Sequence, residues 1–225
     1  PSTLVENGWE ATDHFPNFNA GEKWLYFTAA PLQNKEGKVI GAVETLQDVT
    51  SQKKYEMKLE FQASHDALSG LANRNLLTDR LNQSIAHATR DKSLLALLFI
   101  DLDNFKTVND TLGHNIGDEL IQETAKKIQS VIRTGDTVAR FGGDEFVVLL
   151  FSPENKGYVS DVAERISKEV STCYSHEDQI IKIGSSIGIA MFPEDGNSTQ
   201  TLLLNADRAM YRAKHSNKGS YVFFK

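Results

Sequence analysis

Arg140-Phe141-Gly142-Gly143-Asp144-Glu145-Phe146 sits between two runs rich in β-branched and aromatic residues, Thr137–Phe141 and Phe146–Phe151. That pattern reads as two strands joined by a hairpin turn at Gly142-Gly143-Asp144-Glu145. Glycines at the turn permit positive φ and leave no side chain above it, so a phosphate or a metal can approach the backbone. Upstream, the apolar run Leu94–Ile100 reads as a buried strand, and Asp101 follows it directly. Its carboxylate therefore belongs at the end of a sheet rather than in open loop. Acidic groups presented from adjacent strand ends suit a magnesium site with a polyphosphate, because Mg²⁺ takes oxygen ligands, few of them carboxylates, and lets phosphates complete its octahedron. Taken alone, the same residues also fit an ordinary hairpin with turn acids.

Around this centre the chain alternates element types. Helices are predicted near Asn75–Thr89, Asp118–Ile132, Tyr158–Tyr174 and Thr199–Ser216, and further strands at Ile181–Met191 and Tyr221–Phe224. In the second of these helices, Leu120, Ile121, Ala125, Ile128, Val131 and Ile132 recur at helical spacing. The order predicts an α/β (α+β) domain with a mostly antiparallel central sheet flanked by helices. Nearer the front, two short strands, Trp24–Ala30 and Val39–Leu46, flank the polar turn Gln33–Lys38. Two strands with little to pack on are marginal by themselves. A helical linker over Thr50–Ala63 follows, free of Gly and Pro, with Thr50 or Ser51 as the N-cap.

The 225 residues suffice for one to two domains, and 40% hydrophobic with 24% charged residues is an ordinary globular balance. No apolar run approaches the ~20 residues a membrane helix needs. The chain starts at Pro1, which reads as a fragment of a longer, cytoplasmic protein with room for an upstream membrane anchor. One cysteine, Cys173, rules out an intrachain disulfide framework and fits a reducing compartment; it is expected as a small buried residue on a helix. A net charge of −6 argues against broad electrostatic binding to nucleic acid. A phosphate ligand is then to be held by a metal or by a few placed cations.

Arg140–Phe146 resembles the signature of the GGDEF family of diguanylate cyclases, and further blocks match in order: Asp66–Arg74, Phe99–Lys106, Val108–His114, Gly117-Asp118 and Ala206–Lys214. The resemblance implies a fold similar to the class III nucleotidyl cyclase and polymerase palm core. It implies that Asp101, the main-chain carbonyl of Leu102, Asp144 and Glu145 hold Mg²⁺ (or Mn²⁺) on a GTP triphosphate, with Asp144 and Glu145 at the reacting centre. Two such domains, each with one GTP, would face one another in a homodimer and form cyclic di-GMP, releasing pyrophosphate. Asn109 and Asp118 match the guanine-reading positions; a carboxylate accepts from guanine N1 and N2, a pattern adenine does not offer. Their plainer readings are an Asx turn and a helix N-cap. Leu71 would line the base pocket, with Asn104, Phe105, Lys106, Lys214 and Lys218 on the substrate. Lys214 at a helix end would also suit the helix dipole. Lys218 stands where the family commonly has arginine and lacks its bidentate fork. Asp103 and Asp110 read as structural.

Arg133-Thr134-Gly135-Asp136 lies five residues ahead of the glycine pair, the offset of this family's Arg-x-x-Asp inhibitory site, which binds product. Arg133 would engage guanine and phosphate, Asp136 a guanine edge, and Arg165 would assist. Residues Trp24–Thr50 resemble the last strands of a PAS sensor domain. The expected organisation is a partial PAS domain over 1–49, a signalling linker over 50–65 and the cyclase domain over 66–225. The alternative is a catalytically weak domain that binds GTP or cyclic di-GMP to regulate an adjoining one.

Overall fold

The protein is seen in a computed structural model that describes residues 8–18, 21–176, 179–216 and 218–225. It divides into two compact units, Pro1–Phe61 and Gln62–Lys225.

The first unit holds a three-stranded antiparallel meander, β1 (Trp9–Phe18), β2 (Gly21–Gln33) and β3 (Val39–Asp48). The sequence reading anticipated β2 and β3 but not β1. Pro16 and scattered acids hide β1 from a periodicity argument, and its register with β2 slips between Phe15 and Phe18, around the residue with no N–H to give. At the β2–β3 turn Gly37 adopts φ +79°, and Asn34 Oδ1 accepts from the amides of Glu36 and Lys38. Helix α1 (Thr50–Ser64) follows. Its first amide, Thr50 N–H, donates to Asp48 Oδ1, so Asp48 takes the capping role expected of Thr50 or Ser51. None of the α1 residues is buried, and Tyr55, Met57, Leu59 and Phe61 lie exposed.

In the second unit the elements run α2 (Arg74–Asp91), β4 (Leu95–Asp103), α3 (Phe105–Leu112), α4 (His114–Val131), β5 (Thr137–Gly142), β6 (Glu145–Phe151), α5 (Lys156–Val170), β7 (Thr172–His176), β8 (Gln179–Phe192), α6 (Thr199–Ser216) and β9 (Tyr221–Phe223). The sheet order is β5-β6-β4-β8-β7, antiparallel throughout, with β9 added parallel to β8. Strand β4 lies at the centre, and every residue of it is buried. Ala96, Leu98, Ile100 and Leu102 enter the cluster shared with α4 and α5, while Leu95, Leu97 and Phe99 enter the one shared with α2 and α6. Burial on both faces explains an apolar run without alternation, each such side chain contributing roughly 1.5–3 kcal/mol.

Three expectations need correcting. The segment after Asn104 is helical, so α3 precedes α4 and α4 starts at His114, not near Asp118. The single helix expected over Tyr158–Tyr174 ends at Val170, and Thr172–His176 pairs with β8 instead. β-branched Thr172 and aromatic Tyr174 favour that ladder, with Ile183 and Ile181 opposite, but only the fold supplies the partner. Cys173 accordingly is exposed on a strand rather than buried on a helix. Among the described residues no helix is long and apolar enough to cross a membrane.

Helix α6 lies directly on β8 at Gly188, where an added Cβ would stand 2.0 Å from both the Ala206 carbonyl oxygen and the Met210 nitrogen. Backbone cannot swing aside as a side chain can. Gly188→Ala is therefore expected to destabilise the unit by about 3 kcal/mol or more, read as a lowered urea midpoint with unchanged slope.

Candidate functional site

Register brings the acids together. In the β4–β6 ladder Asp101 lies opposite Glu145, and on the other side of β4 it lies opposite Ser186. Directly opposed residues share a face, here the one covered by α2 and α6. Asp144, at the β5–β6 turn, is tied to the same strand end because its carbonyl accepts from Leu102 N–H at 3.3 Å. Gly143 carries φ +51°, a conformation L side chains rarely adopt.

From α6, Lys214 Nζ donates to Asp101 Oδ1 at 2.6 Å. Lys214 is thus drawn into the acid cluster itself, beyond any role at a helix terminus. Burial raises the Asp101 pKa above the ordinary carboxylate value; the Lys214 contact opposes this, while Asp144 and Asp103 add to it. For Glu145, burial and then the charges of Asp101, Asp144 and Asp207 push the pKa up. Lys214 is held above the usual lysine value: burial acts downward, but the bond to Asp101 and the surrounding acids outweigh it. Asp207, one α6 residue the sequence reading did not single out, is separated from Lys214 by two helical turns.

Asp103, read as structural, is 2% exposed and fully used: its Oδ1 accepts from Ser186 Oγ at 2.9 Å and its Oδ2 from Gly219 N–H at 3.0 Å. That second bond brings the Lys218-Gly219 segment to the site, where Lys218 Nζ reaches Asn104 Oδ1 at 3.4 Å. Asn104 takes φ +64° between β4 and α3 and donates through Nδ2 to the Lys182 carbonyl. Asn217, beside Lys218, lies outside the described residues.

A second group forms where α3 meets α4. Gly117 leaves the room that the Asn109 side chain fills: a Cβ there would be 1.9 Å from Asn109 Oδ1 and 3.4 Å from the Phe105 ring. Asn109 and Asp118 both lie within helices, so neither the Asx turn nor the N-cap reading applies. Asp118 and Lys106 are exposed and Asn109 is half-buried. Leu71 is 2% exposed within the α4–α5 core cluster, and it borders a cavity of about 320 Å³ whose rim includes Arg133 and Asp136.

The Arg-x-x-Asp segment is folded onto itself. Arg133 Nη2 donates to the Phe151 carbonyl at 3.0 Å, its guanidinium lies 5.0 Å from the Tyr158 ring centroid, and its Nε is 3.5 Å from Asp136 Oδ2. Asp136 does not present its carboxylate outward as expected: the side chain is fully buried, and Oδ1 accepts from Phe151 N–H at 3.0 Å. Arg165 is exposed on α5.

Among the described residues no three His, Cys, Asp or Glu side chains converge closely enough to hold a metal unaided.

An acid-rimmed sheet end under a lysine-bearing helix, on this order of strands, defines a protein of the palm-like nucleotidyl cyclase class. The chain matches the family described as "Diguanylate cyclase, GGDEF domain" over residues 63–220, and "PAS fold" over residues 6–54. It belongs to the GGDEF diguanylate cyclase family. The bifunctional diguanylate cyclase/cyclic di-GMP phosphodiesterase MucR of Pseudomonas aeruginosa is 46% identical over 162 residues, 72% of this chain and 24% of MucR. The GGDEF domain structure of TpbB from Pseudomonas aeruginosa is 37% identical, with TM-score 0.67, covering 72% of this chain and 94% of that one. The coiled coil and GGDEF domain of DgcB from Caulobacter crescentus, solved in complex with c-di-GMP, is 27% identical with TM-score 0.68, covering 78% and 93%. The chain spans 24%, 23% and 19% of the length of the first three curated relatives it matches.

Crowded carboxylates cost stability. Because the folded state raises the Glu145 pKa, the folded state binds more protons than the unfolded one between the two pKa values, and stability falls as pH rises through that window. Glu145→Gln is expected to raise the unfolding midpoint at pH 7.5 by about 1–3 °C, a gain that shrinks to nothing as pH drops below the unfolded carboxylate range. Thermal scans of both proteins across pH check the sign.

Proposed function

We propose that the Gln62–Lys225 unit condenses two GTP molecules into cyclic di-GMP, releasing two pyrophosphates, and that it does so between two copies of the domain. The observation that carries the reading is the pairing of Asp101 with Glu145 across β4–β6, beside the Gly143-Asp144 turn and under Lys214, in a chain of this family. Asp101, Asp144, Glu145 and the Leu102 carbonyl would hold Mg²⁺ or Mn²⁺. When bound, the metal neutralises charge on the transferring phosphoryl group and acidifies the attacking 3′-hydroxyl. Lys106, Lys214 and Lys218, with Asn104, would anchor the triphosphate, Lys214 from the position in which it now bonds Asp101. Asn109 and Asp118 hydrogen-bond the guanine edge over Gly117, with Phe105 beside them and Leu71 behind in the core. Glu145, held above the ordinary carboxylate range by burial and neighbouring acids, is suited to receive the hydroxyl proton.

Because nucleophile and electrophile sit on different nucleotides, a homodimer is required, and exposed α1 is the element that joins chains. In this division residues 1–49 form part of a PAS sensor, 50–65 the signalling linker and 66–225 the cyclase, acting in the cytoplasm where GTP is available. Cyclic di-GMP binds back at Arg133, Asp136 and Arg165 as an inhibitor. The clasp on Phe151 implies that Arg133 must release the carbonyl, and Asp136 the amide, before either contacts product. One observation favours the weaker alternative, a domain that binds GTP or cyclic di-GMP without efficient turnover: Lys218 supplies one point charge where a fork is usual, and it already leans on Asn104.

Incubation with GTP and Mg²⁺, with product identified by mass, separates the two readings. Asp101→Ala, Asp144→Ala and Glu145→Ala are each expected to lower turnover by about 100-fold or more while the circular dichroism spectrum is unchanged. Near-normal product from folded Glu145→Ala would overturn the metal assignment.

Arg133→Ala is expected to leave the initial rate unchanged and to weaken product inhibition by about tenfold or more. Calorimetric titration with cyclic di-GMP checks it.

A further inference from the structure

Two charged residues outside the acid cluster, Asp66 and Arg140, join the end of the linker to the catalytic turn. Arg140 spends its whole guanidinium on two targets. Nε and Nη2 donate to the Gly143 carbonyl at 2.9 and 2.8 Å, and Nη1 donates to Asp66 Oδ1 at 3.0 Å. Both side chains are largely shielded, 14% and 26% exposed. The same Asp66 oxygen accepts from Ser69 N–H at 2.8 Å and Ser69 Oγ at 2.7 Å.

The loop so gripped is fastened at both ends. Asn73 N–H donates to the Ser64 carbonyl and Asn73 Nδ2 to the Ala63 carbonyl, each at 3.0 Å, which ties it to the last turn of α1. Arg140 N–H donates to the Ala72 carbonyl at 2.9 Å, and Ala72 bridges Ala139, which ties it to β5. Gly70, at φ +71°, and its bond to the Asp66 carbonyl let the chain reverse within a few residues.

The catalytic turn closes the β5–β6 ladder and is also held by the Leu102 N–H bond to the Asp144 carbonyl. An added Cβ at Gly142 or Gly143 would meet nothing within 4 Å, so no packing around the two glycines themselves pins the turn. A charge-assisted, bidentate grip on Gly143, the residue before Asp144, then adds to that bond in setting where the two acids point.

We propose that Arg140 is a positioning residue that locks the Gly143-Asp144-Glu145 turn to the Ser64–Asn73 loop, making the geometry of the metal site depend on the end of the linker helix. This rests on the cyclase reading above for its purpose, though not for its geometry. A displacement of the Ser64–Asn73 loop reaches the carboxylates through two bonds, Asp66 to Arg140 and Arg140 to Gly143.

Two conservative variants isolate the grip. Asp66→Asn keeps an acceptor for Ser69 but loses the ion pair, and Arg140→Lys keeps the charge but loses the fork. Hydrogen exchange at the Gly143–Phe146 amides is expected to quicken by about tenfold in either variant. Calorimetric binding of Mn²⁺ in the presence of a non-hydrolysable GTP analogue is expected to weaken, and turnover at saturating GTP to fall, each by about tenfold. KM for GTP should move by less than about twofold, and the double variant should be no worse than the poorer single one, because both act through one grip. Wild-type exchange and wild-type Mn²⁺ affinity in folded variants would overturn the proposal, as would losses that simply add in the double variant. Should the wild-type protein make no cyclic di-GMP, the cyclase reading fails, whereas the exchange and Mn²⁺ arms still decide this inference.

Discussion

Asp101 sits near the end of a strand buried along its whole length, with Glu145 opposite it, Asp144 at the next turn and Lys214 bonded to it. Concentrating like charge where water is partly excluded is unfavourable, and it persists only when the surrounding structure over-determines it. The rest of the unit supplies that determination. Apolar contacts on both faces of β4 fix the strand, the β4–β6 register fixes Glu145 against Asp101, and the close seat of α6 on Gly188 carries Lys214 to the right height. Asp103 closes the rim by taking the Gly219 amide.

Strand β6 is held by arginines at its two ends. Arg140 grips the Gly143 carbonyl two residues before its first, and Arg133 grips the carbonyl of Phe151, its last. One grip leads toward the linker and the other toward the proposed product site. Both choose backbone carbonyls, whose positions follow the strand rather than a rotamer. A single strand bearing Glu145 is thereby exposed to two separate influences, and its own side chains are too well buried to be displaced independently.

How much of this was legible beforehand depends on the range of the interaction. The hairpin, the buried run of β4 and the acid at its end were readable because glycine freedom, apolar runs and strand ends are local properties of the chain. The strand β7 was not: Thr172–His176 continues a helical stretch without a break, and its preference is settled by Ile181 and Ile183 lying opposite. Strand β1 was hidden for a similar reason, its pairing with β2 overriding Pro16 and a polar composition. Asp136 was expected to face a ligand, but the Phe151 amide, 15 residues along the chain, claims it.

Residue types and their spacing by themselves determined the class of fold, the family and the set of carboxylates and cations from which the proposed nucleotide site is built. Which of those groups meet was decided by tertiary structure. Lys214 bonds Asp101 across 113 residues, Gly219 meets Asp103 across 116 and Arg140 meets Asp66 across 74. Such contacts depend on strand register and on how closely a helix seats against a sheet. No local pattern encodes either, because register and seating emerge from the whole core packing at once.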